Sequence, residues 1–290
     1  MKKILATLLI LGLLVVSCAK KEDAETTPLT SGEAKVSAQI DLANDDVASI
    51  VQNIYENPDS QTFANKNGET SLAACATISR IPAFGSTPAA GTQVTTTVDF
   101  GTGCTLQNGN LVSGKIIITY DYPTATATSV TVNYVFNNFT HNGHLVTGTK
   151  DFVFTKVAAT TTAPIIPQHW KAVMNMDLNI TINGVIYHRV GSRTTEITAG
   201  YNQPLADREY TVTGNWTTTP TGGSAWTSSI TTPLLVKMSC MNVNKPLLVK
   251  GVITFVRDNS VATLNYGSGN CDNLAVFTFN GNDYNIIIGN

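Results

Sequence analysis

Asn-Gly dipeptides set between long runs of strand-forming residues are the feature that most restricts this chain. Both residues tolerate the positive φ of a type I′ turn, so Asn-Gly between alternating arms signals a two-residue β-hairpin. The pair occurs at Asn108-Gly109, Asn142-Gly143, Asn183-Gly184 and Asn280-Gly281, and again at Asn67-Gly68 in a polar stretch. The middle two have strand-like arms on both sides, predicting hairpins from about Val130 to Phe154 and from about Val173 to Ile197. In the first of these arms the apolar residues Val130, Val132, Tyr134 and Phe136 are even-numbered, whereas beyond Asn137-Asn138 the apolar residue is Phe139. A change of phase inside a strand points to a β-bulge. A third hairpin joins Tyr210–Thr218 to Ala225–Ile230 through Pro220-Thr221-Gly222-Gly223, and further strands are expected at 93–100, 114–122, 247–256, 260–266, 274–279 and 283–288. The expectation is an all-β fold, a large antiparallel meander of about 10–12 strands forming a barrel, a sandwich or an elongated twisted sheet.

Composition agrees with that reading. Thr (42 residues) and Asn (26) are abundant, and β-branched residues suit a half-buried pleated surface. Only 13% of residues are charged and the net charge is −2. That leaves no basic excess for holding phosphate backbones, so nucleic acid is not an expected partner. Hydrophobic residues make up 42%, too many for a disordered chain. One short N-terminal helix is predicted, because Val47, Ile50, Val51, Ile54 and Tyr55 follow helical spacing. Asn44, Asp45 and Asp46 suit its N-terminus, where the dipole favours negative charge, and Asn57-Pro58 ends it. Such a helix is expected to plug one end or face of the sheet.

The first segment bears on the compartment. Met1-Lys2-Lys3 precedes an apolar run from Ile4 to Val16, too short to span the roughly 30 Å of a bilayer core comfortably and typical of a secretory signal. The residues Val15-Val16-Ser17-Cys18 resemble the lipobox of bacterial lipoproteins. The resemblance implies cleavage after residue 17, lipidation of Cys18 and anchoring in a membrane by several acyl chains. Lys21-Glu22-Asp23 just after that cysteine is similar to the surface-export signal of Bacteroidota lipoproteins. Residues 18–35 then read as a lipidated flexible tether, and 36–290 as the β-rich extracytoplasmic domain. The whole is similar to the Flavobacteria-like surface lipoproteins of Bacteroidota, which implies outer-membrane attachment, facing the cell surface or, alternatively, the periplasm.

Four further cysteines remain, and an even number in an exported chain suggests disulfides. Cys75 and Cys240 each begin Cys-x-x-(Ile/Val)-(Ser/Asn)-(Arg/Lys), and Cys104 and Cys271 each follow a Gly-x-Gly turn. In both copies a glycine, Gly114 or Gly281, opens a strand-like run ten residues later. This internal repeat, in blocks of about 75–120 and 240–288, predicts Cys75–Cys104 and Cys240–Cys271. A zinc site is disfavoured by the spacing and the lack of nearby histidine.

Chemistry is sparse. No nucleophile elbow, His-Glu-x-x-His or P-loop pattern occurs, and no catalytic residue or cofactor is nominated. His141 and His144 would close the Asn142-Gly143 turn, a weak candidate for metal beside the plainer reading of an exposed polar pair. His188 should lie opposite Asn179. Trp170, Trp216 and Trp226 form a candidate ligand platform, since aromatic faces stack on sugars, although core packing is the commoner use. The functional expectation is a non-catalytic lipid-anchored domain that binds a partner or has a structural role. The alternatives are a glycan-binding accessory protein and a hydrolase whose carboxylates only the fold assembles. The possible partners are the membrane through Cys18, and a glycan or a surface protein.

Overall fold

A computed structural model describes residues 28–57 and 72–289. It consists of one α-helix followed by fourteen antiparallel strands in a single sheet, with two short 3-10 helices in the connections. The helix, α1 (Ser31–Glu56), comes first. The strands are β1 (Thr77–Ile81), β2 (Gln93–Asp99), the two-residue β3 (Cys104–Thr105), β4 (Leu111–Asp121), β5 (Ser129–His141), β6 (His144–Val157) and β7 (His169–Ile182), then β8 (Val185–Ala199), β9 (Glu209–Pro220), β10 (Trp226–Lys237), β11 (Leu248–Arg257), β12 (Ser260–Ser268), β13 (Leu274–Phe279) and β14 (Asn282–Ile287). Each pairs with its neighbour in sequence except β3, a side branch on β4. The sheet is open, with β1 and β14 at its two ends. The expected antiparallel meander is therefore present, with more strands than anticipated because β1 and the short β3 carry little sequence signal.

Hairpin chemistry sets the register. Asn142-Gly143, Asn183-Gly184 and Asn280-Gly281 have φ near +50° at Asn and between 74° and 79° at Gly, as a type I′ turn needs. The turns pair His141 with His144, Ile182 with Val185, and Phe279 with Asn282. Asn108-Gly109 differs, since only Gly109 takes positive φ and the Asn108 side chain is buried. The bulge expected at Asn137-Asn138 is present. Asn138 adopts φ 49°, the β4–β5 register shifts between Ser113 and Lys115, and burial passes from Val130, Val132 and Tyr134 to Phe139 and His141. Gly114 is required there, because a Cβ would run into the Asn138 carbonyl.

The sheet curls around α1. Along most of the long strands the buried residues share one parity, with β5 changing phase at its bulge, and they form one continuous core with the helix. The helix is buried on most of its circumference, from Ala34 to Ile54, which marks a core helix rather than a surface one. It also starts earlier than expected. Thr30 caps it, accepting from the Glu33 amide while the Glu33 carboxylate accepts from the Thr30 amide, a capping box. Leu29 is buried as well. Residues 28–35, anticipated as the end of a tether, thus belong to the fold, and the helix is long rather than short.

Both expected disulfides are formed, Cys75–Cys104 and Cys240–Cys271. They sit towards opposite ends of the strand order, yet the curl brings their surroundings together. Gly109 lies against Asn244, a Cβ there falling 3.5 Å from the Asn244 carbonyl oxygen, and Gly289 lies against Leu42 and Asn110. Cys18 and the segment expected as a signal lie outside the described residues, as does Asn67-Gly68. Among the described residues, no helix is long and apolar enough to cross a membrane.

Candidate functional site

A cluster of charged side chains is buried between α1 and the concave face of the sheet. Ser37, Asp41 and Asp45 recur every four residues and so line one stripe of the helix. Opposite them, Arg189 and Arg193 project from the same face of β8, with Gly191 between them. That glycine makes room for Trp216 of β9, whose Cα and Cβ would lie 2.5 Å from any Cβ at 191. Trp216 in turn underlies both guanidinium groups, 5.1 Å from Arg189 and 4.1 Å from Arg193, and such cation–π contacts favour keeping the charges there.

Asp41 is the hub. Its Oδ1 accepts from Arg189 at 2.5 Å and from Arg193, while its Oδ2 accepts from the Tyr266 hydroxyl at 2.9 Å. Arg189 also donates to Ser37 at 3.0 Å and Thr218 at 3.2 Å, and Arg193 reaches Asp45 at 3.1 Å. On a neighbouring stripe, Asp46 accepts from the side-chain amides of Asn108 at 2.6 Å and Asn110 at 2.8 Å, and from Nε2 of His141 at 2.8 Å. Lys150, from the concave face of β6, donates to Asn44. Three carboxylates (Asp41, Asp45, Asp46) thus face three cations (Arg189, Arg193, Lys150), all buried. Burying an ion is costly unless a partner and further hydrogen bonds compensate, and this set nearly supplies them. The exceptions are Asp45 Oδ2 and Arg193 Nε, which have no partner among the described residues.

That imbalance appears in the proton affinities. Burial raises the Asp45 carboxyl to about 7, against the pull of Arg193 and with a push from Asp41 and Asp46. Burial and the nearby Arg193 charge lower the Lys150 ammonium to about 7. Burial opposes the Arg193 charge but the carboxylates of Asp41 and Asp45 outweigh it, whereas for Arg189 burial outweighs Asp41. Both guanidinium groups remain charged in either case, because arginine does not deprotonate in proteins. Burial and the adjacent carboxylate of Asp41 push the Tyr266 hydroxyl far above its ordinary value.

The structure corrects several expectations. Asn44, Asp45 and Asp46 do not complement the helix N-terminus; they stand in its middle and hold it to the sheet. His141 does pair with His144 across the turn, but it is a buried partner of Asp46 rather than half of an exposed pair. Among the described residues no group of three His, Cys, Asp or Glu side chains is placed to hold a metal. His188 lies opposite Asn179 as expected, and its Nε2 bonds Asp177 at 2.7 Å in solvent. Trp216 and Trp226 are 2% and 1% exposed, so neither offers a face to a ligand. Trp226 packs under the Arg257 guanidinium, which pairs with Glu33 at 2.5 Å near the start of α1.

Trp170 alone of the three reaches the surface. It lines a pocket of about 260 Å³ where the helix ends, with Lys156, Gln168, His169, Tyr201 and Arg208 around it. A larger groove of about 390 Å³ beside the β4–β5 connection carries Tyr122 and Asp121 but no cation. No family model matches this chain, and no curated protein or solved structure matches it.

Proposed function

We propose that this chain is a lipid-anchored extracytoplasmic protein, held at the outer membrane through Cys18, whose β-domain is a non-catalytic binding or structural module. The observation that carries the reading is the pair of closed disulfides at the matched landmarks of the internal repeat. Disulfides persist in oxidising compartments, which accords with an exported chain. The order of positive residues, apolar run, Ser17 and Cys18 supports lipid anchoring, because two or more acyl chains hold a protein stably where one does not. A non-catalytic role is supported by where the fold puts its perturbed groups. Asp45 and Lys150 are buried under the helix and answer to each other and to the arginines, not to an opening.

Metabolic labelling with a radioactive fatty acid tests the anchor. The full chain should take up label, the Cys18→Ser variant should not, and an inhibitor of lipoprotein signal cleavage should accumulate the precursor. Equal labelling of both forms, or none of either, would overturn the anchor. Protease treatment of intact cells then separates surface display, in which the domain is digested, from a periplasm-facing orientation, in which it survives. A glycan-binding role is the second reading, and the surface position of Trp170 is the observation that favours it.

A further inference from the structure

We propose that the pocket at the C-terminal end of α1 binds a small ring-bearing carboxylate. The inference rests on the binding role proposed above and names its site. Lys156 and Trp170 are directly opposed on β6 and β7, and both belong to the concave side beyond the point where the helix stops covering it. The pocket's aromatic surfaces are held in place by their neighbours. Trp170 stands edge-on to Tyr55 with centroids 5.9 Å apart, and Tyr201 leans on His169 at 5.3 Å while its hydroxyl donates to the Ile197 carbonyl. His169 is fixed at both ring nitrogens, by the Pro167 carbonyl and by Glu196. Preset aromatic surfaces suit a flat or chair-shaped ring.

The polar groups choose the ligand's charge. Arg208 is committed to Glu56 at 2.5 Å and to the Gln203 carbonyl, so those two charges cancel. Lys156 has no ion-pair partner among the described residues, and its ammonium stands 6.0 Å from the Trp170 ring centre. Gln168 and Asn202 present exposed amides beside it. One uncommitted cation, two amides and two aromatic rings match a ring carrying one carboxylate. A volume of about 260 Å³ lies just under the roughly 300–1,000 Å³ of typical ligand pockets, which favours a single ring over an extended chain. A sugar acid and an aromatic acid share this chemistry.

Full-length protein in detergent is titrated with D-galacturonate, D-galactose, phenylacetate and benzyl alcohol, following tryptophan fluorescence excited where the ligands do not absorb. Trp170 is the surface reporter, since Trp216 and Trp226 are buried. The expected result is a saturable change with at least one acid and binding of its neutral counterpart about tenfold weaker or less, a gap of about 1.4 kcal/mol. Whichever acid binds names the source. Lys156→Gln should bring the acid down to the level of the neutral ligand without moving the melting temperature, and Trp170→Phe should remove the signal. No saturable response to either acid, equal affinity for acid and neutral partner, or an unchanged titration in Lys156→Gln would overturn the inference. Loss of acylation at Cys18 leaves this titration untouched, so the two readings fail separately.

Discussion

Replacing Asp41 by Asn removes one charge from the centre of the domain while keeping the side chain's size. In the native fold Arg189 has one carboxylate partner, Asp41, and otherwise only the hydroxyls of Ser37 and Thr218. Arg193 would keep Asp45, whose own burial already resists ionisation. Asp41→Asn therefore leaves a fully buried guanidinium without a counter-charge. Breaking a buried pair from one side costs about 3–5 kcal/mol. For a domain of this size each kcal/mol moves the melting temperature by about 2–4 °C, so a fall of roughly 6–20 °C is expected. The assay is reversible denaturation followed by far-ultraviolet circular dichroism, with both disulfides intact. Asp177→Asn is the reference, because the Asp177–His188 pair lies at the surface, 65% and 45% exposed, and should matter by no more than about 1 kcal/mol. Removing Arg189 as well, as Asp41→Asn with Arg189→Met, should cost less than Asp41→Asn alone, because the uncountered guanidinium is then gone while Arg193 keeps Asp45. If Asp41→Asn melts within about 1 kcal/mol of the native protein, like Asp177→Asn, the buried network does not hold the helix and the reasoning fails.

Stability should also depend on pH in a way the two perturbed groups dictate. Asp45 binds its proton more tightly folded (about 7) than unfolded (near 3.8), so its contribution grows as pH falls between those values. Lys150 is depressed from 10.5 to about 7, so its contribution grows as pH rises across that range. Denaturant titrations at stepped pH should show a shallow minimum near neutrality, and Asp45→Asn should remove the acid-side rise; a native profile that peaks at neutrality would contradict this. Below about pH 4 the sign reverses, because Glu33, Glu196 and Asp99 have lowered values and lose their contribution as they protonate. Opening Cys75–Cys104 by paired serine substitution should cost roughly 3–4 kcal/mol, as closure of a loop of about 30 residues implies, measured against the native protein in urea. Gly191→Ala should lower the melting temperature well beyond an ordinary surface change, because its methyl group meets the Trp216 backbone at 2.5 Å; an unchanged melt would show that the β8–β9 approach can relax.

Much of the fold is legible in sequence because strands advertise themselves by parity and by turns. The Asn-Gly hairpins and the bulge at Asn137-Asn138 follow from residues a few positions apart, and both disulfides from the cysteine landmarks shared by the two repeat blocks. The helix was only half legible. Its second half has an apolar period, but from Ser31 to Asn44 the large apolar residues Ile40 and Leu42 stand among buried small or polar ones (Ala34, Ser37, Ala38, Asp41), and hydrophobic periodicity cannot see a polar contact. Thr30-x-x-Glu33 is a capping-box signature that marks the true start. The buried ions are hidden for the same reason, since Asp45 and Asp46 satisfy a terminal-dipole rule equally well. A signal does exist in the strands. Lys150 shares parity with Val146, Phe152 and Phe154, and Arg189 and Arg193 share it with Ile197, so charged residues fall on the apolar side. Three such cations facing a helix with three aspartates is a pairing that only the tertiary fold reveals.

The most direct test of this account is amide hydrogen exchange along α1 in the intact protein. If the helix is a core element stitched to the sheet by Asp41, Asp45 and Asp46, its amides from Ala38 to Ile54 should exchange as slowly as those of β7 and β8, through global unfolding. Exchange of the whole segment orders of magnitude faster than those strands would mean that the helix is not part of the core, and would contradict the account.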